Sequence, residues 1–223
     1  MPPVQDALRN FQDTEFLTIL DEALLALVIE KGRVTPECKE RLITQLGLAA
    51  DAHSDAVLVT CNVYSLAVRE ARDRLAPLKI LAVDEPMAAR AVRAGSRIGV
   101  VGTGHSGLRA QADLLADTAR RAGRDVDIRP VLCADAFTAL KAGDAARHDE
   151  LVFDAIASLA DTDAIVLAQA SMARLVGRLP TVGPPVLASP ALAAAELAAM
   201  LNGHPAGLSR TSRRASTTRG TMQ

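Results

Sequence analysis

Ala56-Val57-Leu58-Val59-Thr60-Cys61-Asn62-Val63-Tyr64-Ser65 runs from a short apolar stretch straight into a thiol, an amide and a hydroxyl. Residues Ala56–Thr60 read as a buried strand, and a helical pattern follows near Ser65–Leu75. A strand that delivers reactive side chains to the start of a helix is the repeating unit of an open parallel sheet. In such sheets ligands bind at the carboxyl ends of the strands.

The same alternation extends outward from this segment. Upstream, Glu15–Leu20 reads as a strand and Glu22–Lys31 as a helix closed by Gly32. Thr35-Pro36-Glu37 opens another helix, reaching about Ala52, with a hydroxyl cap, a first-turn Pro and a carboxylate near the helix's positive end. Met1–Gln12 reads as a helix or loop. Downstream come the strand Lys79–Val83 and a helix from Glu85 to Ala94 closed by Gly95, with Asp84-Glu85-Pro86 as its cap and first turn. The second half repeats the plan: strand Arg97–Val101, helix Leu108–Ala122, strand Val126–Leu132 and a helix from Asp144 to Ala160. Strand Ala164–Ala168, a short strand Pro185–Ala188 and helix Pro190–Leu201 complete it.

Two α/β lobes are therefore expected, one over 1–92 completed by 186–203 and one over 93–185, with a disordered tail over 204–223. Within that tail Leu208–Arg219 holds four Arg and no acid.

With 223 residues and 49% apolar content the chain can bury a sizeable core, and without Trp that core is aliphatic. Acids and bases nearly cancel, 26 against 25, which gives no general electrostatic reason for a nucleic acid or an anionic membrane as partner. Aromatic platforms for stacking bases are lacking too. No basic start with an apolar run resembles a signal peptide, and no stretch approaches the roughly 20 apolar residues of a membrane span. Only four bases are Lys against 21 Arg; with the many Ala this points to a GC-rich bacterial genome and a cytoplasmic protein. Three Cys at irregular spacing, with no CxxC pair, argue against a disulfide framework or a zinc site.

Chemistry is expected after three strands. Cys61 sits where the positive field of a helix start would lower a thiol's pKa, and Asn62 and Ser65 could add donors to an anion held by backbone N–H groups; a buried structural Cys is the alternative. Gly102-Thr103-Gly104-His105-Ser106-Gly107 matches GxGxxG, so a dinucleotide site has to be weighed. That reading wants an acid at the end of the next strand, about 20 residues on. Asp127 lies near that strand's start and Asp135 too far past its end. A second anion cradle built from Thr103 and Ser106 is more economical, with His105 a solvent-facing turn residue at least as readily as a site residue. After the third strand, Gln169 and Ser171 would project toward a ligand, or else merely cap the following helix.

Together these segments resemble the Asp/Glu/hydantoin racemase superfamily, which includes arylmalonate decarboxylase and maleate isomerase. Cys61-Asn62 matches the family's Cys-Asn-Thr-like motif, with Val63 in place of the Thr. Ile98–Ser106 resembles the strand and Thr-containing loop that open its second half. Val166–Met172 stands where its second Cys-containing motif belongs, with Gln169 at the Cys position. The resemblance implies two pseudo-symmetric, Rossmann-like (flavodoxin-like) lobes with parallel sheets and the substrate in the cleft between them. It further implies no cofactor and no metal, a small carboxylate-bearing substrate and a homodimer.

By the same resemblance Cys61 is the acid/base, with Gln169 facing it and Asn62, Ser65, Thr103, Ser106 and Ser171 around the substrate. Gln cannot exchange a proton, so chemistry needing one proton donor, such as decarboxylation or a one-face isomerisation, fits better than two-base racemisation. Cys133 follows another strand and is read as structural. A non-catalytic carboxylate-binding homologue and a nucleotide-binding oxidoreductase using Gly102–Gly107 are the rival readings.

Overall fold

The computed structural model describes residues 2–9, 11 and 14–202; the expected tail over 204–223 lies outside them. Along the chain come α1 (Pro2–Leu8), α2 (Glu22–Lys31), α3 (Pro36–Asp51), β1 (Ala56–Val59), α4 (Ala67–Arg74), β2 (Lys79–Ala82) and α5 (Glu85–Ala94). There follow β3 (Arg97–Gly102), α6 (His105–Arg121), β4 (Asp127–Leu132), α7 (Ala134–Lys141), α8 (Ala145–Ala157), β5 (Ala164–Leu167), α9 (Ala173–Val176), β6 (Val186–Leu187) and α10 (Ser189–Asn202). Single 3₁₀ turns follow β1 at Asn62–Tyr64 and β5 at Ala170–Met172.

Local chemistry sets most helix boundaries. Asp21 accepts from Leu24 N–H at 3.1 Å to cap α2, and Gly32, at φ +68°, ends it in the left-handed region. Thr35 caps α3 ahead of Pro36, and Asp144 accepts from Arg147 N–H at 2.9 Å to cap α8.

The strands form two parallel sheets, as expected. β1 pairs with β2 alone, while the other four lie in the order β4-β3-β5-β6. In the first lobe Leu24 and Val28 of α2, Leu42, Ile43 and Leu46 of α3 and Val68 of α4 bury one sheet face. Leu58 and Val83 meet α1 and α10 on the other, through Val4 and Ala193. In the second lobe α5 and α6 cover one face with Met87, Leu114 and Leu115. On the opposite face α8 packs Val152, Ile156 and Leu159 against Ile165 and Leu167. All four residues of β5 are buried, as a central parallel strand requires. After β6 the chain leaves this sheet, and α10 packs on α5, α1, β1 and β2. No helix among the described residues is long and apolar enough to cross a membrane.

The main departure from the sequence reading is Glu15–Leu20. It is an exposed non-strand segment, with Leu17 67% and Leu20 78% exposed. Its Phe-Leu-Thr-Ile-Leu composition suits a strand, yet among the described residues no strand edge pairs with it. Helix α6 also begins earlier than Leu108, taking His105–Gly107 into its first turn, and α7 falls in a segment to which the sequence reading gave no element.

A side-chain staple fixes the start of the second sheet. The Asp163 carboxylate accepts from Ser96 N–H and Arg97 N–H, each at 2.9 Å, and from the Arg97 guanidinium at 2.9 Å. This needs a residue without a side chain at Gly95, where a Cβ would lie 2.2 Å from the Asp163 Cβ. Gly95→Ala is therefore expected to destabilise the fold by about 3 kcal/mol through overpacking, read as a lower urea midpoint with an unchanged slope.

Candidate active site

Because the strands of each sheet are parallel, Cys61, Asp84, Thr103 and Gln169 all follow carboxyl ends of strands, after β1, β2, β3 and β5. Cys61 is extended and half-buried, and its carbonyl accepts from Tyr64 N–H at 3.1 Å to start the 3₁₀ turn. Tyr64 anchors that turn in the first lobe's core, donating its hydroxyl to Leu24 O at 2.7 Å. Asn62 projects the other way. Its amide donates to Gly107 O at 3.0 Å and to Ala168 O at 2.9 Å, tying the turn to α6 and to the end of β5.

The Asn62, Gly107 and Gln169 positions converge. A Cβ at Gly107 would lie 3.5 Å from Asn62 Nδ2 and 3.7 Å from Gln169 Nε2, and one at Gly104 would lie 3.8 Å from Gln169 Nε2. The Gln169 amide is held flat against Thr103: Oε1 accepts from Thr103 N–H and Nε2 donates to Thr103 Oγ1, both at 3.2 Å. The first turn of α6 carries Ser106, half-buried, and His105, exposed. Ser171 is exposed on the turn after β5. Cys61-Asn62, Gln169, Thr103 and Ser106 are thus gathered where the lobes meet.

Three residues differ from their sequence reading. Ser65 is buried and gives its hydroxyl to Asp84 Oδ1, so it offers a ligand nothing. Asn62 spends both N–H groups on backbone carbonyls, which leaves its Oδ1 as the group open to a ligand. Asp84 does not cap α5 with its side chain. It is 1% exposed, and its Oδ2 is buried without a hydrogen-bond partner. No sequence pattern marks Asp84 as more than a helix start; its burial comes from the packing of the turn over it.

Of the glycines in the GxGxxG match, Gly102 serves close packing: a Cβ there would press on Leu108 Cβ at 3.0 Å, whereas one at Gly104 or Gly107 would make ordinary contacts with Gln169 or with Asn62 and Gln169. Cys133 packs beside α8 with its thiol 4.0 Å from Leu151 O. Among the described residues no group of three His, Cys, Asp or Glu is placed to hold a metal ion.

The electrostatics reverse the expectation for the thiol. Burial pushes the Cys61 pKa up, the Val63 N–H offsets part of this, and the charge of Asp84 adds to it. A single 3₁₀ turn follows Cys61, and α4 starts only at Ala67, so no long run of aligned peptide dipoles points at the sulfur. Burial likewise pushes Asp84 up, to about 7, against the opposing pull of the Ser65 hydroxyl and its own N–H; the Glu85 charge raises it further.

The sequence pattern of Asp/Glu/hydantoin racemases matches residues 5–197. No curated protein matches the chain. Among solved structures, a glutamate racemase from Thermus thermophilus in complex with beta-chloro-D-alanine superposes with a TM-score of 0.60 at 23% identity, covering 90% of this chain and 76% of that one. An allantoin racemase from Klebsiella pneumoniae gives 0.56 at 17% identity, covering 90% and 82%. A glutamate racemase isoform from Bacillus anthracis gives 0.54 at 18% identity, covering 75% of this chain and 66% of that one, so the chain spans just under two thirds of that enzyme's length. The sequence match runs from α1 into α10 and the two-lobed parallel fold is shared: the chain belongs to the Asp/Glu/hydantoin racemase family.

Proposed function

We propose that this protein is a cofactor-independent isomerase or lyase that moves one proton at carbon next to a substrate carboxylate, with Cys61 as the acid/base. The observation that carries this reading is the asymmetry of the strand ends. A titratable thiol follows β1, while an amide that cannot titrate follows β5. Two-base racemisation needs a proton exchanger on each face. A single thiol suits chemistry confined to one face.

In that chemistry the Cys61 thiolate takes the proton from carbon and the C–H electron pair passes into the carboxylate as an enediolate. The resulting thiol then returns a proton from the same face, either to that carbon, which gives exchange alone, or to a second carbon conjugated with it, which gives the isomer. In the decarboxylating version the C–C bond breaks, carbon dioxide leaves, and the Cys61 thiol protonates the carbanion. N–H groups in the first turn of the 17-residue helix α6, with Ser106, Thr103 and Ser171, supply donors for the carboxylate and the enediolate.

The racemases named for glutamate and allantoin suggest small amino acids and ureide-type acids as the substrate range. The Ala- and Arg-rich composition supports a bacterial, cytoplasmic setting. A homodimer is part of the proposal, supported by exposed Phe16, Leu17, Leu20 and Ile29. Light scattering on a sizing column should give twice the chain mass of 23.4 kDa.

A second reading, a carboxylate-binding protein without turnover, draws on the raised Cys61 pKa and on the engagement of Asn62 and Gln169 in protein hydrogen bonds.

Proton NMR in deuterated water, across amino acids, hydantoins and substituted malonates, separates the two. Exchange at the α-carbon is expected without accumulation of the opposite enantiomer, and Cys61→Ala and Cys61→Ser should each lower it by about a thousandfold. Exchange that persists in both variants would remove Cys61 from the chemistry. Binding without exchange by the wild type would favour the second reading.

A further inference from the structure

The register of the two-stranded sheet sets a second ionisable group beside Cys61. Val59 pairs with Ala82 across β1 and β2, and Val83 N–H donates to Val59 O at 3.0 Å. Cys61 and Asp84 each stand two residues beyond that last pair, at the same end of the two strands, and Ser65 of the turn that Cys61 starts bonds Asp84. Paired strands run about 4.8 Å apart, and positions of equal parity project to the same face. Asp84 is sealed there, with Oδ1 taking the Ser65 hydroxyl and Oδ2 buried without a partner.

Of the surrounding charges, Glu85 acts on the pair, opposing a carboxylate at Asp84. It comes from α5 and is held by Arg72 of α4 at 2.9 Å. Arg69 of α4 and Asp117 of α6 bind each other. One turn beyond Gly107, α6 contributes Gln111, fully buried and uncharged. The buried neighbours thus include an anion-forming acid next to an anion-forming thiol. Two like charges in one desolvated strip oppose each other, and such a pair titrates as a unit.

We propose that Asp84 is the positioning residue for the Cys61 thiol: the two groups share one negative charge, and the carboxyl must hold its proton for Cys61 to act as a thiolate. This rests on Cys61 being the proton-transfer group. It adds that the reactive state of the site is thiolate with neutral Asp84, a carboxyl kept protonated by burial and oriented by Ser65. A substrate carboxylate entering beside Cys61 brings more negative charge, which opposes ionisation of both groups and makes a neutral Asp84 the more necessary for a thiolate. The proton moves only between the pair and solvent, so no further reactant is required.

The test reads the thiol rather than turnover, so it can fail independently of the proposed reaction. Peptide-resolved alkylation of Cys61 by iodoacetamide, followed between about pH 6 and pH 10, reports its thiolate fraction. In the wild type the curve should show an inflection near pH 7, where Asp84 titrates, before its main rise. In Asp84→Asn that inflection should vanish and the main rise should move toward acid. Alkylation should then be about twofold faster at pH 7, where half of Asp84 still holds its proton, and the gain should grow toward about tenfold near pH 9, where the opposing carboxylate of the wild type is fully formed.

Ser65→Ala keeps the carboxyl but removes the bond that favours its ionised form. It should move the inflection to higher pH, and it serves as the test should Asp84→Asn fail to fold. A merely structural Asp84 would leave the Cys61 curve of every folded variant superimposable on wild type, and that result overturns the proposal.

Thermal melting gives a second arm. A carboxyl whose folded pKa is raised keeps its contribution below its unfolded pKa and loses it as pH rises through about 7. The wild-type Tm should fall between about pH 5 and pH 8 while that of Asp84→Asn changes less. Parallel Tm profiles would show that Asp84 does not titrate in this window and would overturn the proposal too.

Discussion

The two N–H groups of the Asn62 amide hold the first lobe's turn against α6 and β5 of the second, and the site's geometry follows from that contact. Each neutral bond is worth about 1 kcal/mol net, but an orphaned buried carbonyl costs more. Replacing the amide would therefore leave Gly107 O and Ala168 O without these donors as well as parting the lobes. The bonds also set what else fits. A Cβ at Gly107 would touch both Asn62 and Gln169, and Gln169 bonds with Thr103. A single short side chain thus decides where Cys61 stands relative to the first turn of α6.

Much of the fold was legible because burial imposed a period on the sequence. Ala164–Leu167, buried at every position, could only be a central parallel strand, and the Asp21, Thr35 and Asp144 caps mark helix starts that the structure keeps. What was not legible lacks such a signal. Helix α7 buries only Ala136 and leaves Phe137 and Leu140 exposed, so no apolar stripe announces it. Glu15–Leu20 shows the opposite failure: its residues favour a strand, but a strand exists only where a neighbouring edge accepts its hydrogen bonds, and that is a tertiary fact.

The site was legible as a set of positions and less so as a set of roles. Strand ends in one parallel sheet share one side, which brought Thr103 and Gln169 together from the sequence, while the approach of Cys61 from the other sheet was an implication of the family resemblance. Direction was harder. Ser65 looked like a donor at a helix start, but the 3₁₀ turn rotates it inward onto Asp84. The thiol looked activated because a helix follows it; the helix proper begins six residues later, and desolvation wins. Both errors come from reading a turn as though it were the first turn of a long helix.

The amino-terminal helix has a practical side. Val4 of α1 is buried against Val83 and Ala170, the residues that adjoin Asp84 and Gln169 in the chain. Whatever is joined ahead of Pro2 is therefore only a few residues from the packing that supports both strand ends. An affinity handle placed there becomes a neighbour of the site, and assays on such a fusion measure the handle's company together with the enzyme's own residues.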